Sequence, residues 1–161
     1  MKRYQSLKII FILVLAVIPA KAGFTISKIN HCQVFLKPSQ VGYSVTWHGK
    51  CKNAFADELG VARYSLKGQV NTVYYGVMKA GFWDVGVLAQ NDGYLAGQFK
   101  NNEKVTVKDQ VGVESRNVII RAFQIAAKAA TQLSQDFKKQ GNKASAQHYR
   151  AEAEKLSQQM D

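Results

Sequence analysis

The chain has no apolar run long enough to cross a bilayer as a helix. Its longest, Ile9 to Ala20, holds about 12 residues, where a spanning helix needs about 20. No H-x-x-x-H pair joins its three histidines, His31, His48 and His148, and none lies near a cysteine set suited to zinc. The two cysteines, Cys32 and Cys51, are too far apart for a C-x-x-C redox pair. There is no G-x-S-x-G elbow and no glycine-rich loop ahead of a helix, so neither a serine nucleophile nor a phosphate cradle is indicated. No block of five or six basic residues appears, which argues against nucleic acid as a partner. Acidic residues are few, 11 against 22 basic ones. Asp57, Glu58, Asp84 and Asp92 fall mostly where turns are expected, and read as solvated turn acids rather than a glycosidase pair.

What is present begins with a basic start at Lys2, Arg3 and Lys8, the uncharged run, and then Ala20-Lys21-Ala22. That order is the grammar of a secretory signal peptide cleaved after Ala22. The expectation is a periplasmic or secreted protein. Removing Lys2, Arg3, Lys8 and Lys21 leaves 18 basic residues against 11 acidic ones, a net charge of +7. Such a chain suits anionic partners, although scattered lysines also serve solubility. Both cysteines stay in the mature part, and an even count in an oxidising compartment predicts a Cys32–Cys51 disulfide.

Two regimes follow. Residues 23–113 read as strands, rich in glycine, β-branched and aromatic residues. Tyr43, Val45 and Trp47 alternate onto one face. Val61–Leu66, Thr72–Met78, Gly86–Leu88, Tyr94–Phe99 and Lys104–Val107 continue the series, with Pro38–Gly42, Ala80-Gly81, Asn91-Asp92-Gly93 and Asn101-Asn102 as turns. Residues 114–161 read as two helices. Ile119, Phe123, Ala126, Ala130, Leu133 and Phe137 form one apolar stripe, widened by Val118, Ala122, Ile125 and Ala129. Ser115 is the expected N-cap and Gly141-Asn142 the break. Ala146, Tyr149, Ala153, Leu156 and Met160 form the stripe of the second helix, predicted to fold back on the first and to cover a face or open edge of the sheet.

The strands also repeat. Val45–Gly49, Val73–Gly76 and Tyr94–Gly97 are each aromatic-rich and reach a glycine, and Gly49 to Gly76, Gly76 to Gly97 and Gly60 to Gly86 are 27, 21 and 26 residues apart. A period in the twenties signals stacked hairpins. The stretch Tyr74-Tyr75-Gly76-Val-Met-Lys-Ala-Gly81-Phe-Trp-Asp-Val-Gly86-Val87, followed by Asp92-Gly93-Tyr94 and Gly97-Gln-Phe99, resembles the MORN repeat. Trp47-His-Gly49-Lys-Cys51, with Cys32 upstream, is similar to the opening of secreted bacterial MORN-like proteins. The resemblance covers about residues 32–102. Ala54, Glu58 and Val85 stand where that pattern has glycines, which leaves the turn types open. It implies an antiparallel MORN-like β-hairpin sheet; with the C-terminal antiparallel helical hairpin read from the apolar stripes, the expected fold is α+β. It also implies a scaffold more than an enzyme.

The expected function is therefore non-enzymatic protein binding outside the cytoplasm, with no cofactor and no metal. The expected binding residues are Tyr75, Lys79, Phe82, Trp83, Tyr94 and Lys100, with Phe82-Trp83 exposed in a turn. The sharper form is an inhibitor or immunity protein against a periplasm-acting toxin or hydrolase. The alternatives are an accessory subunit of an envelope secretion machine, or a protein that binds anionic lipid or glycan. A His31–His48 metal pair brought together by the disulfide competes with ordinary surface histidines. An enzyme acting through His31, His48 or Asp84 is the remaining reading.

Overall fold

The computed structural model describes residues 22–105 and 113–160, with side chains of the second stretch described from Arg116. The signal-peptide reading falls on residues 1–21 and lies outside the described residues, as does the end of the expected Lys104–Val107 strand. The described chain is α+β: a curled, mainly antiparallel sheet followed by two helices. Its strands are β1 (Gly23–Ile26), β2 (Gln33–Leu36), β3 (Ser44–Lys52), β4 (Phe55–Leu66), β5 (Gln69–Lys79), β6 (Phe82–Gln90), β7 (Gly93–Lys100) and β8 (Glu103–Lys104). The helices are α1 (Val113–Lys139) and α2 (Lys143–Ser157).

Strands β3 to β8 form consecutive antiparallel hairpins. The turn pairs Asn53-Ala54, Lys67-Gly68, Ala80-Gly81 and Asn101-Asn102 all carry positive φ at both residues. This is the backbone that matches the twist of two-residue hairpins. Ala54 (φ 67°) and Glu58 (φ 63°) hold the left-handed conformation without being glycine.

The repeating glycines meet in space. Gly49 pairs with Gly60, Gly60 with Gly76, Gly76 with Gly86, and Gly86 with Gly97. One glycine row thus crosses five strands, and the sequence period records its register. The row leaves room for rings. A Cβ on Gly49 or Gly60 would strike the Trp47 indole, and one on Gly76 or Gly86 would meet the phenol end of Tyr74 and the facing backbone. Each ring lies along its own strand and donates from its tip to a carbonyl three residues on: Trp47 Nε1 to Lys50 O at 2.9 Å, and Tyr74 Oη to Val77 O at 2.8 Å. Both bonds sit at a β-bulge, between Gly49 and Lys50 and between Val77 and Met78. The third strand departs from the pattern. Tyr94 stands three residues before Gly97 rather than two, so it points to the other face and meets Phe123 of α1 edge-on at 5.9 Å.

The N-terminal hairpin closes this array on two sides. The β1–β2 connection covers the free edge of β3. Lys28 N–H donates to Val45 O, Trp47 N–H donates to Ser27 Oγ, and the Asn30 amide donates to Trp47 O and Gly49 O. An unpaired strand edge is thereby satisfied. Strand β2 then runs across the hairpin tips as a strap. Gln33 N–H donates to Ala54 O, Phe35 N–H to Gly81 O, and the Asn102 amide to Phe35 O. The Cys32–Cys51 disulfide, Cα atoms 5.6 Å apart, fastens the start of the strap to the first hairpin.

The sheet has a core on each face. Under the strap lie Val34, Leu36, Val45, Trp47, Tyr64, Tyr74, Met78, Trp83, Leu88 and Phe99. On the other face Val61, Tyr75, Val87 and Ala96 meet Ala122, Phe123, Ala126, Ala127, Ala129, Ala130 and Leu133 of α1, with Tyr149, Ala153 and Leu156 of α2 behind. The expected helical stripes therefore face the core: most of their residues are buried, Ile125, Phe137 and Met160 are half-buried, and Val118 and Ile119 are exposed at the start of α1. Of the two placements expected for the helices, they cover a face. Helix α1 starts at Val113, so Ser115 lies inside it rather than at its cap. The break is as expected: Gly141 takes φ 76°, and Asn142 Oδ1 accepts from Ser145 N–H.

Candidate binding site

The six expected binding residues do not share a face. Tyr75 is 2% exposed, beneath the helices, and Trp83 is 2% exposed in the opposite core. Each burial has its own cause: Tyr75 lies in mid-β5, where alternation turns it toward the helices. The β5–β6 turn is Ala80-Gly81 alone, so Phe82 and Trp83 already belong to β6, and alternation sends Trp83 inward. There its indole N–H donates to Tyr64 Oη at 2.7 Å and its ring stacks on Tyr74. Tyr94 is 38% exposed, but at the far end of β7, beside α1. Lys79, Phe82 and Lys100 do gather at the tip end of the hairpins. Lys79 is the cross-strand partner of Phe82, and Lys100 adjoins the Asn101-Asn102 turn held by the strap.

That end carries a surface the sequence reading missed. Phe24 of β1, Phe35 of β2, Phe55 of β4 and Phe82 of β6 form one cluster outside both cores. Phe24 meets Phe35, Phe55 and Phe82 edge-on at 5.5, 5.2 and 5.5 Å, and Phe35 stacks on Phe82 at 4.5 Å. Phe24 is 47% exposed, Ile26 beside it 60%, and the other three rings are half-buried. Two rings have a lysine directly opposite across their hairpin: Lys52 for Phe55 and Lys79 for Phe82. Both lysines are exposed. Asp57 is nearby but occupied, since its carboxylate accepts from Ala80 N–H at 3.0 Å. The surface is thus apolar at its centre and basic at its rim. Four strands supply the rings, and the signal was diffuse: each phenylalanine sits alone in sequence, and only the strap unites them.

A second feature is a cavity of about 430 Å³ between α1 and the β3–β4 ladder. Gly49, Gly60, Leu59 and His48 line the sheet side, Gln132, Leu133, Asp136 and Gln140 the helix side, and Ile29 and Asn30 a third wall. His48 meets Phe137 edge-on at 5.4 Å. Burial, and then the positive Arg63, hold its pKa below the usual histidine value, so it is neutral near pH 7. Lys50 and Glu58 pair at 2.8 Å on the exposed rim, which raises the Lys50 pKa.

His31 is exposed with φ 58°, and it does not line the His48 cavity. Among the described residues no group of three His, Cys, Asp or Glu side chains could hold a metal ion. Burial raises the pKa of Tyr64, Tyr74 and Tyr75, so these hydroxyls remain protonated hydrogen-bonding groups. No helix among the described residues is long and apolar enough to cross a membrane. No family model, curated protein or solved structure matches the chain.

Proposed function

We propose that this is an exported, non-enzymatic protein-binding module, built on a MORN-like hairpin sheet, whose partner docks on the phenylalanine cluster at the strap. The observation that carries this reading is the cluster itself: four rings from four strands, held outside both cores with lysines opposite two of them. Aromatic anchors inside a polar rim are what protein interfaces use. The lysine rim and the basic mature chain favour a partner with an acidic face. The disulfide and the absence of a spanning helix among the described residues are compatible with life in the periplasm or outside the cell. The specific form we favour is an inhibitor or immunity protein that blocks a toxin or hydrolase in that compartment. A rigid, cross-linked face suits tight binding of one partner.

The test compares capture from periplasmic extract by the mature protein and by the Phe24→Ser/Phe82→Ser double variant. One dominant partner retained by the first and lost by the second supports the reading. A partner retained equally by both places the interface elsewhere and ends it.

A second reading rests on Phe24 and Ile26 standing exposed beside Lys28, Lys52 and Lys79. Apolar residues flanked by lysines also suit an anionic lipid surface. Sedimentation with anionic vesicles at low salt, lost at high salt, would favour it over a protein partner.

A further inference from the structure

Strand β1 ends the sheet: it pairs with β2 on one side and, among the described residues, with no strand on the other. The register tells which of its backbone groups are unpaired. On β2, the N–H groups of Gln33 and Phe35 and the carbonyl of Phe35 face the hairpin tips. Hydrogen-bonded and non-hydrogen-bonded residues alternate along an antiparallel pair. The bonds to β1 therefore run through Val34 and Leu36, opposite Thr25 and Gly23, and continue at Cys32, whose carbonyl accepts from Ser27 N–H. Phe24 and Ile26 fall between, so their N–H and C=O groups point to the outer edge. Lys28 N–H, the next group on that edge, already donates to Val45 O of β3. Phe24 and Ile26 have no such partner among the described residues.

We infer, resting on the docking reading above, that the partner adds an extended acidic segment to β1 as a further strand. Two kinds of unmet group lie on the same two residues. The backbone of Phe24 and Ile26 offers donors and acceptors, and their side chains, 47% and 60% exposed, offer apolar surface. A helix would cover the side chains and leave the backbone groups unpaired, whereas a strand meets both. The free edge of β3 is covered by Ser27, Lys28 and Asn30, but β1 carries no proline, charge or bulge to blunt its own. In antiparallel pairing, the more stable kind per residue, Phe24 and Ile26 each exchange both bonds with one facing residue. Those two facing residues, spaced i and i+2, lie on the phenylalanine side of the sheet and are apolar. Their neighbours are acidic. Lys28 follows β1 directly, and Lys52 and Lys79 stand opposite Phe55 and Phe82, whose rings touch Phe24. All three lysines are exposed, and none pairs with a carboxylate among the described residues. A second copy of the chain fits poorly, because it would set its own lysines against these.

The experiment titrates the mature, oxidised protein with the peptide acetyl-Asp-Glu-Val-Thr-Val-Glu-Asp-amide into the millimolar range, followed by ¹H–¹⁵N NMR. The expected result is saturable shifts along β1 and at Phe35, Phe55 and Phe82, with the Phe24 and Ile26 amide protons moving downfield as they gain acceptors. N-methylation of both valines, whose N–H groups would face β1, should weaken binding at least about tenfold. N-methylation of the threonine, whose N–H would face away, should leave it nearly unchanged. Replacing the four acidic residues by lysine should weaken it at least about tenfold. Ile26→Pro removes one outward N–H and leaves the bonds to β2 in place, and should weaken binding more than Ile26→Ala does. Absence of saturable shifts overturns the inference. So does valine methylation that weakens binding no more than threonine methylation, or β1 shifts that follow protein concentration without peptide, which would make a second copy the occupant. The docking reading outlives those results if Phe24→Ser/Phe82→Ser still loses the captured partner. A partner held equally by that variant ends both.

Discussion

One face of the sheet is filled with rings and the other with alanines. Under the strap, Trp47, Tyr64, Tyr74, Trp83 and Phe99 fill the space, and the first four have their polar tips hydrogen-bonded within the protein. Under the helices, Tyr75, Phe123 and Tyr149 are the buried aromatics, beside Val61, Val87 and a file of five buried alanines from Ala122 to Ala130. The two solutions follow from what each face must meet. A hairpin sheet crossed by a glycine row has a trough on its surface, and flat rings laid along the strands fill it. A helix is itself bulky, so small residues let its backbone approach the sheet. Ring packing with hydrogen-bonded tips fixes one arrangement, whereas an alanine interface rests on closeness alone.

The largest break in that comparison comes from Trp47→Ala. It removes a fully buried ring that covers two glycines, and should cost about 3–5 kcal/mol of stability, read from urea midpoints. The disulfide serves the same face. Cys32→Ala/Cys51→Ala should cost about 3 kcal/mol, with the strap loosened while the helix-face contacts persist, seen as faster amide exchange at 33–36. On the alanine face the opposite change is the damaging one. Ala126→Leu adds bulk at a fully buried position of the core between α1 and the sheet, and should cost about 1–3 kcal/mol, whereas the conservative Ala126→Ser should cost less.

The smallest effect is electrostatic. His48 has its folded pKa lowered by burial, so as pH falls through about 6.5 the unfolded chain takes up a proton that the folded protein does not. Stability should fall over that window and level off below the folded pKa. His48→Gln should flatten this slope. Urea midpoints of both proteins between about pH 7.5 and 5 check it, and an unchanged slope would show that His48 does not carry the dependence.

Much of the fold was legible because its signals are local. Alternation placed Val45 and Trp47 on one face, the helical stripes named the residues that α1 and α2 bury, and the pairs at 80–81 and 101–102 announced their turns. The repeat was legible as a spacing, although only the register shows that the glycines form one row. What failed was non-local. The start of β4, Phe55–Leu59, reads as a loop because Glu58 interrupts its alternation at positive φ. Trp83 reads as a turn residue because nothing in its own window shows that β6 begins at Phe82; the pairing of Lys79 with Phe82 across the hairpin does. The phenylalanine cluster was invisible for the same reason. No window of sequence contains Phe24, Phe35, Phe55 and Phe82, and no periodicity links them. Of the six expected binding residues, those at the hairpin tips, Lys79, Phe82 and Lys100, stayed on the surface near the strap. Tyr75, Trp83 and Tyr94 went where alternation sent them.

The central claim is that the strap end, with its rings outside both cores, is the face this protein presents to a partner. Hydrogen–deuterium exchange of the mature protein, free and with its captured partner, tests it most directly. The account predicts that slowing concentrates at 24–35, 53–57 and 79–84, with α2 unchanged. Slowing confined to the outer surface of α2, or to the far hairpin turns at 67–68 and 91–92, would contradict it.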